Sequence, residues 1–214
     1  MRSRLRGLYA ITDARQTDPH ALLRDVEQAL LGGATILQYR DKSADHAQRL
    51  DTARQLRQLT HQHNTLLIIN DDVELAAACL ADGVHLGRDD ATIDHARQQL
   101  GPAAIIGVSC YNHLERARQA AGAGADYVAF GRFFPSRSKP QASAASLDTL
   151  QRAKREFVIP IAAIGGITSD NASALVGAGA DMLAVINDLF AQSDIRAAAQ
   201  RYQRFFENRG RLRE

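Results

Sequence analysis

Gln38, Arg40 and Lys42 stand at alternate positions, and an extended chain puts all three on one face. Two cations with an amide that both donates and accepts suit a diphosphate. Carboxylates follow in Asn70-Asp71-Asp72 and again in Asp89-Asp90. If Asp71 and Asp90 come together beside those cations, they make a place for Mg²⁺. That ion takes one or two carboxylates and completes its shell with phosphate oxygens and water. The same Asn-Asp-Asp run also reads as a helix cap. Gly165-Gly166-Ile167-Thr168 and Ile186-Asn187 suit a phosphate held by backbone N–H groups, although a Gly-Gly pair also reads as a simple turn. From Gly131 to Ala145 a long connection carries Pro135, Ser136, Arg137, Ser138, Lys139 and Pro140. Its hydroxyls and cations suit a loop that closes over an anion. Ser109 stands at a strand end, while His85 reads first as packing, and His61 and His63 as surface.

These groups share one position in the pattern of elements. Apolar runs of strand length cover Leu8–Thr12, Thr35–Tyr39, Leu66–Asn70, Gly83–Leu86, Ala104–Ser109, Tyr127–Phe130, Pro160–Ile164 and Met182–Ile186. Several are apolar without alternation, as parallel strands buried on both faces require. Helical stripes lie between, such as Leu22, Leu23, Val26, Ala29 and Leu30, and finally Ile195, Ala198, Ala199, Tyr202, Phe205 and Phe206. Asp170-Asn171 reads as a helix start. Gly124-Ala125-Asp126 and Gly179-Ala180-Asp181 read as short helix-to-strand turns. Eight β-then-α units predict an α/β fold, the (β/α)8 TIM barrel, as one catalytic domain over residues 1–214. A doubly wound open sheet fits less well, because no Gly-x-Gly-x-x-Gly follows the first strand. Every polar segment above falls at the C-terminal end of a strand, where such barrels carry their active sites.

Composition narrows the partners. The chain has 214 residues, 45% hydrophobic and 23% charged, and a net charge of only +2, which does not point to nucleic acid. Arg201, Arg204, Arg209, Arg211 and Arg213 gather near the C-terminus and read as a solvated helix face and frayed end. Neither a signal peptide nor a run of membrane-spanning length is visible, so a cytoplasmic enzyme without membrane contact is expected. Cys79 reads as a core residue and Cys110 as a possible pocket residue; no disulfide or zinc spacing is present. Monomer and homodimer stay open.

Taken in order, the motifs resemble the thiamine phosphate synthases from Leu8 to about Phe190. The resemblance rests on Leu8-Tyr9-Ala10-Ile11-Thr12-Asp13, Gln38-Tyr39-Arg40-Asp41-Lys42, Leu67-Ile68-Ile69-Asn70-Asp71 and His85-Leu86-Gly87. It continues through Ile106-Gly107-Val108-Ser109, Phe134-Pro135 to Lys139-Pro140, and Ala163-Ile164-Gly165-Gly166-Ile167. It implies a (β/α)8 enzyme that joins a pyrimidine diphosphate to a thiazole phosphate, or its carboxylated form, and releases pyrophosphate. The pyrimidine diphosphate would be bound by Gln38, Tyr39, Arg40, Asp41, Lys42, Asn70, Ser109 and Lys139, and Mg²⁺ by Asp71 and Asp90. The thiazole phosphate would be bound by Ser136, Arg137, Ser138, Gly166, Ile186 and Asn187. Catalysis would rest on Arg40, Lys42, Ser109 and Lys139, which stabilise charge on a leaving diphosphate in a dissociative substitution. Arg88, Gly131-Arg132-Phe133, the serines at 136 and 138 around Arg137, and Asn187 depart from the family's usual residues. No metal or diphosphate ligand is lost among these changes.

Three other readings compete. A thiazole tautomerase on the same barrel would use His85 as acid and base and has no need of a metal pair. A sugar-phosphate isomerase would explain Gly165-Gly166 but not Asp71 with Asp90. A non-catalytic module that captures thiamine phosphates would bind without turnover.

Overall fold

The computed structural model describes residues 4–12, 18–135 and 144–211, with side chains to residue 207. Eight parallel strands close into a barrel in chain order. They are β1 (Gly7–Ile11), β2 (Ile36–Tyr39), β3 (Leu66–Asn70), β4 (Gly83–Leu86), β5 (Ile105–Tyr111), β6 (Tyr127–Phe130), β7 (Ile161–Ile164) and β8 (Met182–Val185). Most bounds match the apolar runs to within a residue. β5 is longer than expected, running past Ser109 to Tyr111 through an irregular register against β6.

The two faces of each strand feed two cores, as the period of two demands. Tyr9, Ile11, Ile36, Leu66, Ile68, Ile105, Tyr127, Ala129, Ala162, Met182 and Ala184 point inward and fill the barrel. Their neighbours, among them Leu8, Ala10, Leu37, Leu67, Val84, Ile106, Val128 and Leu183, meet the helices outside. The interior is therefore packed solid below, and only its C-terminal mouth is left for a ligand.

The helices are α1 (Pro19–Leu31), α2 (His46–Gln62), α3 (Val73–Ala78), α4 (Ile93–Leu100), α5 (Leu114–Gly122), α6 (Leu147–Glu156), α7 (Ala172–Gly177), α8 (Asn187–Phe190) and α9 (Ile195–Arg211). α1 starts at Asp18, whose side chain accepts from the His20 N–H at 3.0 Å, with Pro19 in the first turn. α9 lays its expected stripe inward: Ile195, Ala198, Ala199, Tyr202 and Phe206 are buried, while Arg201 and Arg204 are exposed.

One device recurs at the N-terminal side of the barrel. Asp82, Asp126 and Asp181, each just ahead of a strand, accept an N–H from the first or second residue of the preceding strand, from Leu67 at 2.8 Å, Ile106 at 3.0 Å and Ile161 at 3.0 Å. Each also meets a cation from an earlier helix: Arg57 at 3.3 Å, Arg97 at 2.9 Å and Lys154 at 2.8 Å. The Ala-Asp turns seen in the sequence thus tie α2, α4 and α6 to the sheet. Repeating that carboxylate in alternate units fixes the starts of β3, β5 and β7.

Candidate active site

A cavity of about 500 Å³ opens at the C-terminal end of the barrel. Gln38, Arg40, Asn70, Ser109, Gly166, Ile186 and Asn187 all line it, with Tyr9, His85 and Tyr111. The structure thus brings together expected residues from five strand ends. Ser136, Arg137, Ser138 and Lys139 lie outside the described residues.

Arg40 is steered by Thr12. The Arg40 N–H donates to the Thr12 hydroxyl at 2.8 Å, and that hydroxyl lies 3.3 Å from the Arg40 carbonyl. This link between the ends of β1 and β2 sets the direction in which the guanidinium leaves the sheet. Lys42 sits further out, 60% exposed, with its ammonium 3.8 Å from Asp71. Tyr39 and Asp41 alternate to the other face. The Tyr39 ring is buried in the outer core and its hydroxyl donates to Asp41 at 2.9 Å, so neither side chain is brought to the cavity.

The three residues of Asn70-Asp71-Asp72 divide their work. Asp72 is the helix cap: it accepts from the Leu75 N–H at 2.8 Å and pairs with Arg49 at 2.7 Å. Asn70 lines the cavity, and its side chain favours the ionised form of Asp71. Asp71 takes left-handed backbone, with φ of 66°, which turns its carboxyl toward Asp90. Asp90 is steadied by the Gly87 N–H, which donates to it at 2.6 Å. A side chain at position 87 would crowd that carboxylate, since a Cβ would lie 2.7 Å from it.

The Asp71 and Asp90 carboxyls are near enough for each to bear on the other's ionisation. Burial raises the Asp71 pKa, the Asp90 carboxyl raises it further, and the opposing pull of Lys42 and Asn70 does not cancel them. Two carboxylates that interact in this way cannot both ionise cheaply without a cation beside them. The donor set therefore fits a hard divalent ion of the Mg²⁺ kind, which needs only one or two protein carboxylates. Among the described residues no cluster of three or more His, Cys, Asp or Glu exists, so a closed site of the structural-zinc type has no ligands there.

The loops after β6 and β7 lock together. Phe133 and Phe134 donate to the Ile164 and Gly165 carbonyls at 3.2 and 3.0 Å. Gly166 has φ of 65°, and a Cβ there would lie 2.4 Å from the Pro135 carbonyl. The glycine is thus required by the neighbouring loop. Asn171 shapes the same turn: it accepts from Thr168 at 2.9 Å and donates to the Gly166 carbonyl at 3.0 Å. That use replaces the helix cap expected of it. Asp188 joins the loops after β7 and β8 to α9, accepting from Ser169 at 3.2 Å and Tyr202 at 2.6 Å.

Several contributors are not apparent from sequence. Arg116, on α5, donates to the Ser109 carbonyl at 2.7 Å and the Gly87 carbonyl at 2.8 Å, and so clamps the ends of β4 and β5. Arg88 rests on the Tyr111 ring, 4.9 Å from its centroid. Tyr9 and Tyr127 are hidden in otherwise apolar strands. Cys110 does not reach the cavity: it is fully buried in the outer core, and burial pushes its thiol up to about 12.

Residues 8–189 match the family model for thiamine monophosphate synthase. The chain is 55% identical to the thiamine-phosphate synthase of Azoarcus sp. strain BH72, covering 96% of this chain and 100% of that one. It is 52% identical to the thiamine-phosphate synthase of Nitrosococcus oceani, over 96% of this chain and 95% of the relative. Among solved structures it resembles thiamine phosphate pyrophosphorylase from Pyrococcus furiosus, with a TM-score of 0.87, 37% identity, and coverage of 97% and 98%.

Proposed function

The chain belongs to the thiamine monophosphate synthase family and its activity is the synthesis of thiamine phosphate; we propose that it performs this alkyl transfer in the cavity between Arg40, Asn70, Ser109 and the loops after β7 and β8. The observation that carries this reading is the meeting of Asp71 and Asp90 beside Lys42, at the rim of a cavity that also holds Arg40. It is an arrangement for a diphosphate.

In the proposed reaction the C–O bond of the diphosphomethyl group breaks and its electron pair leaves with pyrophosphate. The remaining pyrimidinylmethyl cation is stabilised by its own amino-pyrimidine ring. The thiazole nitrogen then gives its lone pair to that carbon, and the new C–N bond completes thiamine phosphate. No protein nucleophile is required. Arg40, Lys42 and Lys139 meet the charge that builds on the leaving group, and Ser109 donates a hydrogen bond to it. Asp71 and Asp90 would hold Mg²⁺, which when bound neutralises diphosphate charge. Asn70 and Gln38 would orient the pyrimidine. Gly166, Ile186 and Asn187 would hold the thiazole phosphate, together with Ser136, Arg137 and Ser138. The apolar walls from Ile11, Ala129 and Ile164 keep water from the cation.

Among the described residues no helix is long and apolar enough to cross a membrane. Small-molecule substrates and two free buried cysteines support a cytoplasmic enzyme. The tautomerase reading would need His85 as acid and base, yet both of its ring nitrogens are engaged by Tyr127 and Ser109.

Calorimetric titration of pyrophosphate tests the site directly. Binding that needs Mg²⁺ and is lost in Asp71→Ala supports the reading. Binding of equal strength in a chelator contradicts it.

A further inference from the structure

Five polar side chains cross the floor of the barrel in one unbroken series. Gln38 Nε2 donates to Tyr9 Oη at 2.6 Å. Tyr9 Oη lies 2.7 Å from Tyr127 Oη, Tyr127 Oη lies 2.9 Å from His85 Nδ1, and His85 Nε2 lies 2.9 Å from Ser109 Oγ. We propose that this series fixes the direction of the Ser109 hydroxyl hydrogen, so that Tyr9, Tyr127 and His85 are positioning residues for the departure of the diphosphate. The inference rests on the reading above that Ser109 meets the leaving group.

The direction follows from counting protons. Tyr9 receives a hydrogen from Gln38, so its single hydrogen goes to Tyr127. Tyr127 in turn gives its own to His85 Nδ1. A neutral imidazole with an accepting Nδ1 carries its hydrogen on Nε2, which then donates to Ser109 Oγ. The Ser109 hydrogen is left for the cavity, where an anionic oxygen needs a donor. The opposite sense would turn Ser109 toward His85 and present only lone pairs to the diphosphate. The Gln38 amide at one end and the anion at the other select the same sense.

The barrel is built to allow this series. Gly107 stands between His85 and Tyr127 in the register. A Cβ at Gly107 would lie 2.0 Å from the Tyr127 ring and 2.4 Å from its hydroxyl oxygen. Without a side chain there, the Tyr127 ring reaches across and stacks on His85 with centroids 5.5 Å apart. Burial raises the pKa of both Tyr9 and Tyr127, so both hydroxyls keep their hydrogens at neutral pH. Tyr127 is fully buried and is not part of the cavity lining, so it cannot act by touching substrate.

A double-mutant cycle on the full-length enzyme tests the proposal, with Tyr127→Phe, Ser109→Ala and the double variant assayed with both substrates and Mg²⁺. Tyr127→Phe lowers kcat about tenfold, with KM for each substrate within about twofold, as expected when a donor aimed at developing charge is misdirected. In the Ser109→Ala background the same change costs less than about twofold, because the series has nothing left to orient. His85→Gln keeps an N–H for Ser109 and retains more kcat than His85→Leu; this pair repeats the test should Tyr127→Phe fold poorly by circular dichroism. Additive losses in the cycle, or equal kcat for His85→Gln and His85→Leu, overturn the proposal while leaving the function intact. A wild-type chain that makes no thiamine phosphate overturns both.

Discussion

Asp71 and Asp90 meet at the mouth of the barrel, and both are held there by means that cost the fold something. Asp71 occupies left-handed backbone at φ of 66°, and the Asp90 carboxylate lies where a side chain at position 87 would crowd it. Burial and the neighbouring carboxyl make ionisation of Asp71 unfavourable while no cation is bound. A divalent ion would relieve that liability, which is why the pair supports the proposed Mg²⁺ site.

Removing one charge of the pair is therefore expected to separate stability from activity. Asp71→Asn lowers turnover by about a hundredfold or more but leaves the metal-free protein as stable as wild type or more so. Mg²⁺ raises the unfolding midpoint of wild type and not of Asp71→Asn. Thermal unfolding with and without Mg²⁺, beside a turnover assay, checks all three statements.

The raised Asp71 pKa sets a pH dependence with a definite sign. A carboxyl that holds its proton more tightly when folded contributes stability at acid pH and loses it as pH rises through the folded value. The window begins near the ordinary carboxylate value of 3.8 and extends upward. The difference in unfolding midpoint between Asp71→Asn and metal-free wild type should thus widen, in favour of the variant, as pH rises through that window. Saturating Mg²⁺ should abolish the trend.

Gly166→Ala places a methyl group where the Pro135 carbonyl already is. The strain costs about 1–3 kcal/mol and drives the loop after β6 away from β7. KM for the thiazole phosphate should rise about tenfold, with KM for the pyrimidine diphosphate much less affected. Steady-state kinetics with each substrate varied in turn decides this.

Asp126 offers the opposite case, a residue that matters to the fold and not to the chemistry. Asp126→Ala leaves Arg97 and the Ile106 N–H without their carboxylate. A loss of about 2 kcal/mol is expected, and a midpoint lower by roughly 4–8 °C, with kcat per folded molecule unchanged. A variant that kept its midpoint would contradict the role given to the Ala-Asp turns.

The strands are legible in the sequence because parallel strands buried on both faces are continuous apolar runs, as in Leu66-Leu67-Ile68-Ile69. The alternation Gln38, Arg40, Lys42 is equally legible, since period two is a property of the backbone. What alternation does not announce is which face turns inward: Cys110 and Tyr39 lie on the helix side, and only the closed register decides that. Asp71 and Asp72 are indistinguishable by type. A left-handed turn sends one to the cavity rim and leaves the other to cap α3. The Tyr9–Tyr127 bond joins residues 118 positions apart, and nothing local in either strand signals it. Gly107 is its only trace, a glycine inside an apolar strand that marks where another side chain must pass.

Arg40, Lys42, Ser109 and the Asp71–Asp90 pair are proposed to serve the departure of pyrophosphate from a pyrimidine diphosphate. Turnover of the purified chain with both substrates and Mg²⁺, following pyrophosphate and thiamine phosphate together, tests it most directly. Equal amounts of the two products, lost on adding a chelator and restored by excess Mg²⁺, is the predicted result. Binding of both substrates with neither product formed, or thiamine phosphate made at full rate in the chelator, would contradict it.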